Sequence, residues 1–160
     1  MMYELLDKYI TEYGEIDSLW SDNGVNGIIE LFQKFSEIDW QKLHHNLPSK
    51  SLEWKIKMLS GIVGDEKNIL STIAILMDTK DIELLDMILI IFNNYNYNII
   101  EDKYGLLSND IKRKFINHLK NIMPYLNKYY VKLIEEFFKK NSYVETQLNE
   151  IGDNSKNNNL

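Results

Sequence analysis

The 160-residue chain has a mass of 19.0 kDa, the size of a single domain, and its 44% apolar residues are enough to form a hydrophobic core. It contains no cysteine and only three histidines, which excludes disulfides, cysteine-ligated zinc and thiol nucleophiles and leaves little for histidine-based metal chemistry. It also has no 18-residue apolar run, and its first residues do not resemble a secretory signal, so we expect a soluble cytoplasmic protein.

Charge is distributed unevenly along the chain, whose formal net charge is −6. Residues 1–102 contain 18 acidic residues against 8 lysines, whereas residues 103–160 contain 10 basic residues against 6 acidic ones. Because an acidic surface attracts cationic partners and repels phosphate backbones, we expect no nucleic-acid partner for the larger part of the chain. The alternative is that these acidic residues only form the water-exposed faces of helices and bind no partner.

Apolar residues recur at helical spacing through the first part of the chain. A helix is predicted over residues 2–13, with Gly14 as its stop. A turn-rich segment at 21–24 precedes the next helix. The apolar stripe of that second helix extends over residues 28–38. Asp39 is predicted to cap a short third helix, which must end just before Pro48 because the residue preceding proline disfavours helical backbone.

Three further helices follow, each preceded by a side chain that can cap its N-terminus. Ser49 or Ser51 is predicted to cap the first of them, Asp65 the second and Asp81 the third. The helix after Asp65 is predicted over residues 66–78. Since it is apolar on nearly all sides, we expect it to be central.

The last third of the chain is predicted to contain a loop, two helices and a polar tail. The Asn-rich residues 93–98 are typical of a loop, Ser108 is predicted to start a helix, and Pro124 suits the first turn of the next one. That last helix is predicted to face the core with Leu126, Tyr129, Tyr130, Leu133 and Phe137. Residues 142–160 offer no core positions, so we expect a mobile tail after a single all-helical domain, residues 1–141.

About eight helices and few strand signals predict an all-α fold. Helix starts near residues 51 and 81 give a loose 30-residue spacing, which is compatible with a short HEAT-like stack of antiparallel helix hairpins. An irregular helical bundle fits the same pattern, and both architectures stay open at this stage.

No residue pattern in the chain predicts catalysis. His44 and His45 are adjacent, so they diverge by about 100° on a helix and do not form an i, i+4 zinc pair. The acidic cluster from Asp78 to Asp86 does not match the spacing of an EF-hand loop, and helix capping with solvation accounts for it. We therefore expect no enzyme activity, no metal, no cofactor and no small-molecule substrate.

Carboxylates and aromatic residues around residues 93–98 are candidates for binding a basic protein partner. The candidate partner-binding residues are Trp40, Asp78, Asp81, Glu83, Asp86, Tyr95, Tyr97, Glu101 and Asp102. Trp54 is predicted to lie in the core, whereas Trp20 is assigned to either the core or an interface. The lysine-rich helices after residue 108 could build a nucleic-acid surface, which the acidic remainder of the chain disfavours. We therefore expect no nucleic-acid partner and no membrane partner for the chain.

One stretch of the chain resembles a known family. A run W-x-x-L-x-x-x-L-P-x-x-S-x-x-W extends from Trp40 to Trp54 through Pro48, and a G-D-x-x-N turn starts at Gly64. With the apolar helix pair that follows, residues 38–92 resemble the small all-helical immunity proteins of bacterial polymorphic toxin and contact-dependent growth inhibition systems.

The resemblance implies a cytoplasmic protein that binds one cognate toxin domain, typically a nuclease, and blocks it. It implies no catalytic residues. Nucleases engage phosphates through basic clefts, so an inhibitor that presents carboxylates would associate with one quickly. A helical adaptor or scaffold of phage or host regulation would show the same sequence features and is the alternative.

Overall fold

The computed structural model describes residues 1–13, 23–95, 97–99 and 101–141. Within these ranges the regular structure consists of eight α-helices, two short 3-10 turns and a π-helical turn at residues 23–24, without a β-strand. The predicted all-α fold of about eight helices is confirmed. In chain order the helices are α1 Met2–Glu12, α2 Val25–Phe32, α3 Glu37–Asn46, α4 Leu52–Ser60, α5 Glu66–Leu76, α6 Ile82–Tyr95, α7 Asn109–Ile122 and α8 Lys128–Lys140.

The chain divides into two compact units, Met1–Met87 and Ile88–Leu160, and the division falls within α6. The first unit carries 16 acidic residues and 8 lysines, a net charge of −8. The second carries 10 basic and 8 acidic residues, a net charge of +2. None of the described helices is long and apolar enough to cross a membrane.

Several expectations fall on residues outside the described ranges. They concern the helix stop at Gly14, the placement of Trp20, the start of the turn-rich segment at residues 21–22, and the tail at residues 142–160. The expectation of a single domain over residues 1–141 also stays a prediction.

The core of the first unit is built from one face of each helix from α1 to α5. α1 packs against α2, α3 and α4, and α3 packs against α5. Each helix contributes side chains at helical spacing, and the fully buried ones include Leu6, Ile28, Leu43, Met58, Ile69 and Ile73. α5 is two residues shorter than predicted and keeps an exposed edge at Ile75, so it is not enclosed on all sides.

Four predicted helix starts are confirmed by side-chain caps. In each case a hydroxyl or carboxylate oxygen accepts a hydrogen bond from a backbone N–H in the first turn, which satisfies a donor that the helix itself leaves open. The four caps are Ser51 on α4, Asp65 on α5, Asp81 on α6 and Ser108 on α7.

The predicted boundary between the second and third helices is wrong. α2 ends at Phe32, and α3 starts earlier than predicted because Ser36, not Asp39, is its N-cap. Ser36 and Asp39 form a capping box: the Asp39 N–H donates to Ser36 Oγ, and the Ser36 N–H donates to Asp39 Oδ2. Ile38 therefore belongs to the first turn of α3, where it is exposed.

Asp39 also stabilises the start of α1. Its Oδ1 accepts a hydrogen bond of 3.0 Å from the Tyr3 N–H, while Met1, at the N-cap of α1, provides no side-chain cap. Burial raises the pKa of Asp39, but hydrogen bonds from Ser36 and from the Tyr3 backbone outweigh it, so the pKa is lowered overall. One carboxylate thus fixes the first turns of two helices.

Three phenylalanines form the core of the second unit. The ring centroid of Phe115 lies 5.7 Å from that of Phe137, and Phe92 lies within 6.1 Å of both. Phe115 and Phe137 belong to α7 and α8, so this cluster pairs the two helices. Asn141 at the end of α8 is also buried, and its Oδ1 accepts a hydrogen bond from the Ile99 N–H.

The predicted register of the last helix is partly wrong. Pro124 lies in a separate 3-10 turn, Met123–Tyr125, and Asn127 caps α8 one turn later. Phe137 faces the core as predicted, but its buried partner on α8 is Ile134, and Tyr129 is exposed. The predicted loop at residues 93–98 is also shortened, because α6 continues to its end at residue 95.

Candidate protein-binding surface

The turn between α5 and α6 carries the acidic residues of the first unit that sequence reasoning singled out. Asp81 Oδ1 accepts hydrogen bonds of 3.0 Å from the N–H groups of Glu83 and Leu84, so this carboxylate is committed to capping α6. Asp78 and Glu83 are exposed on either side of it, and Asp86, one turn later, is half-buried. Two of the four candidate acids therefore present their carboxylates to solvent.

Ion pairing does not neutralise these two carboxylates. Other acids of this unit do pair with lysines, as in the Lys50–Asp7 contact of 2.6 Å and the Lys57–Glu53 contact of 2.7 Å. Among the described residues, neither Asp78 nor Glu83 lies within 4.0 Å of a basic group, although the exposed Lys80 is in the same turn. Their charge is directed to solvent and any partner.

Asp102 in the second unit is buried, which contradicts its predicted place on a binding surface. It is 9% exposed, and its carboxylate accepts hydrogen bonds from Tyr97 Oη at 2.6 Å, the Leu106 N–H at 2.9 Å and the Leu107 N–H at 2.8 Å. Lys112 Nζ lies 3.5 Å from Oδ2. The carboxylate therefore organises the segment that precedes α7.

Tyr97 is buried by the same arrangement. It is 4% exposed, its hydroxyl donates to Asp102, and its ring stacks on Phe92 with the centroids 5.7 Å apart. Tyr97 thus belongs to the core of the second unit and is not an exposed anchor. Its neighbours in the candidate set, Tyr95 at the end of α6 and Glu101, are exposed.

Trp40 is likewise a core residue and was wrongly placed at the surface. Its ring stacks on Phe32 at a centroid distance of 5.2 Å and meets Phe35 edge-on at 5.3 Å. The backbone at Gly64 covers the indole so closely that a Cβ at this position would lie 2.6 Å from its Cζ2 atom. The glycine of the G-D-x-x-N turn is needed because Trp40 packs beneath it.

His44 and His118 are both half-buried. His44 Nε2 lies 3.0 Å from Thr72 Oγ1, and burial lowers the pKa of this imidazole. His118 Nε2 is buried without a hydrogen-bond partner in the described part of the chain. Within the same residues, no group of three histidine, aspartate or glutamate side chains could hold a metal ion.

Comparison with protein-family models, curated proteins and solved structures found no match to the chain. The family resemblance of residues 38–92 therefore stays a prediction, and function must be inferred from the described side chains. Four candidate residues are exposed and available to a partner: Asp78, Glu83, Tyr95 and Glu101.

Sequence reasoning missed two exposed tyrosine side chains in the second unit. Tyr125 was not considered and Tyr129 was assigned to the core, yet both are among the most exposed large side chains. The signal that could have found them is charge: between Asp110 and Glu135 the chain contains six basic residues and no acidic one. Such a segment contrasts with the otherwise acidic chain.

Proposed function

We propose that the protein is a cytoplasmic immunity protein that binds a cognate bacterial toxin domain and neutralises it. The toxin domain would be a nuclease with a basic, phosphate-binding cleft. The observation that supports this most directly is the exposed pair Asp78 and Glu83 at the turn between α5 and α6, in a unit of net charge −8. Carboxylates of this kind attract a basic protein surface before contact and fix its orientation.

The proposal uses the surface acids and not the buried ones. Asp81 holds the first turn of α6, so its reversal would destabilise the helix whatever the partner does. Asp102 and Tyr97 are internal and would affect binding only by altering the fold. Asp78 and Glu83 can be changed without removing a hydrogen bond that either carboxylate makes to the described residues.

We expect the double variant Asp78→Lys with Glu83→Lys to associate with the toxin domain about tenfold more slowly at low salt, because steering by surface charge acts mainly on the association rate. The dissociation rate should change little. The difference should shrink as salt is raised, since exposed charges are screened over about 8–10 Å at physiological ionic strength.

The partner for this experiment is the C-terminal domain encoded by the gene directly upstream. Its toxicity is measured in cells with and without the chain, and association by stopped-flow or biolayer interferometry. The matched control is Glu12→Lys with Glu30→Lys, which changes the charge equally at exposed positions of α1 and α2 and should leave association unchanged.

Three outcomes would contradict the proposal, the last of them only in its choice of contact surface. If the chain neither protects cells from the upstream domain nor binds it, the immunity function is wrong. A housekeeping or phage structural gene at that place would favour the adaptor function instead. If protection occurs but both double variants associate alike, the carboxylates of the α5–α6 turn are not the contact surface.

A further inference from the structure

A basic surface in the second unit is formed where α7 turns into α8. Residues 111–134 contain six lysine or arginine residues and no carboxylate. Lys112 is buried beside Asp102, and Lys114 pairs with Asp110 at 2.8 Å, so both are neutralised. The next basic residues along the chain are Lys120, Lys128 and Lys132, and no acidic residue occurs in the sequence between Lys114 and Glu135.

Two tyrosine rings are exposed at the same turn. Tyr125, the last residue of the 3-10 turn, is 88% exposed, and Tyr129, in the first turn of α8, is 54% exposed. The backbone N–H of Tyr129 donates to the capping side chain of Asn127, and its ring meets that of Tyr130 edge-on at 5.2 Å.

Two lysines lie near Tyr129 on the exposed side of α8. Lys128 and Lys132 are spaced i, i+4, so they lie on one face of the helix, and Tyr129 lies beside them. Lys132 Nζ is 4.0 Å from Glu136 Oε1, a distance at which an exposed pair contributes little. Both side chains are exposed, so their ammonium groups can contact an anion from solvent.

We propose that the surface formed by Tyr125, Lys128, Tyr129 and Lys132 binds single-stranded nucleic acid. The lysines would contact phosphates, and the tyrosine rings would stack on unpaired bases. Proteins that bind single strands without sequence preference combine these two features. The inference is independent of the proposed immunity function, and it applies to a surface outside the acidic residues 1–102.

Other anionic partners fit this surface less well. Lysine is depleted at protein–protein interfaces, where arginine is the preferred cation, so an acidic protein is disfavoured. A membrane surface is disfavoured because peripheral binding uses a helix with an exposed apolar face, and the apolar face of α8 is buried at Ile134 and Phe137. A nucleic-acid duplex offers phosphates, but its bases are stacked internally and cannot reach the two rings.

The test measures fluorescence anisotropy of a labelled oligothymidylate of about twelve nucleotides, within the range that small single-strand-binding folds cover. We expect Tyr125→Ala to weaken binding about tenfold and Tyr125→Phe, which keeps the ring, to retain it. Because Tyr125 is almost fully exposed, neither change should disturb folding, which circular dichroism can verify.

The lysines are tested through the salt dependence of the same binding. Lys128→Gln with Lys132→Gln removes two phosphate contacts, so the slope of log K against log salt should fall by about 1.4. The matched control, Lys67→Gln with Lys80→Gln, removes the same charge from exposed positions of the first unit and should leave the slope unchanged.

Several results would overturn the inference. The first is no binding at about 100 μM and low salt, the weak end of non-specific affinities. The second is equal binding of the matching duplex, or binding that Tyr125→Ala leaves unchanged, since either would remove the role of base stacking. The third is tighter binding to polyglutamate or to phosphatidylserine vesicles, which would assign the surface to an acidic protein or to a membrane.

Discussion

Replacing Asp102 with alanine is expected to lower the free energy of unfolding by about 3–5 kcal/mol, the cost of breaking a buried charge pair on one side. The carboxylate accepts hydrogen bonds from the Tyr97 hydroxyl and from the N–H groups of Leu106 and Leu107. Without the carboxylate, Lys112 would stay buried without the opposite charge of Asp102, and the Tyr97 hydroxyl and both amides would lose their acceptor.

The effect of Asp102→Ala should depend on pH in a defined direction. Burial raises the pKa of Asp102, but hydrogen bonds from Tyr97 and the two amides, together with Lys112, outweigh it and hold the pKa below its ordinary value of 3.8. A carboxyl whose folded pKa is lowered stabilises the protein above its unfolded pKa and loses that contribution as pH falls through the folded pKa. The difference in unfolding free energy between wild type and variant should therefore be largest near neutral pH and decrease below about pH 4.

Urea unfolding at a series of pH values measures both parts of this prediction. Glu101→Ala is the matched control because the side chain is adjacent and exposed, and such changes usually stay within about 0.5 kcal/mol. Tyr97→Phe removes one hydrogen bond to a charged acceptor and should cost about 1.5–3 kcal/mol. If Asp102→Ala costs less than about 1 kcal/mol at neutral pH, the network does not stabilise the second unit.

The sequence predicted the helices well where their ends depend on neighbouring residues. Ser51, Asp65, Asp81 and Ser108 each cap a helix through a backbone N–H two or three residues away, so the pattern is visible in a short window. Asp39 was misassigned within that same window. Two polar residues compete for the start of α3, and the capping box uses both of them.

Burial of the polar and aromatic candidates could not be predicted in the same way. Trp40 is covered by Gly64, which is 24 positions away in the chain, and no local pattern encodes that contact. Asp102 lies among polar residues and looks like a surface acid. Its carboxylate is internal because it accepts hydrogen bonds from amides four and five residues later, and the backbone at Asp102 is left-handed, φ +30°.

The candidate binding surface was only partly accessible to sequence reasoning for a related reason. Charge and composition located the acidic cluster from Asp78 to Asp86, but only packing and capping decide which carboxylates stay in solvent. On α8, the spacing of apolar residues predicted that Tyr129 and Phe137 both face the core. The buried face instead includes Ile134, which leaves Tyr129 exposed beside Lys132.

Trp54→Ala is expected to lower the free energy of unfolding by about 3–5 kcal/mol, because it removes a large buried side chain and leaves a cavity that α4 cannot close. Trp54 was predicted to lie in the core, and it is buried on the same face of α4 as Met58. Lys50 Nζ lies 5.2 Å from the indole centroid while it contacts Asp7 at 2.6 Å, so the ring also covers a lysine that pairs within the first unit.

The backbone N–H of Trp54 is held by the Ser51 cap, and alanine keeps that hydrogen bond, so the loss should come from packing alone. Leu52→Ala is the control on the same helix: Leu52 is 42% exposed and should cost less than about 1 kcal/mol. Trp54→Phe should fall between the two, since it keeps a ring beneath Lys50 and removes an indole N–H without an acceptor among the described residues. Equal denaturant midpoints for Trp54→Ala and Leu52→Ala would show that the indole is not part of the core.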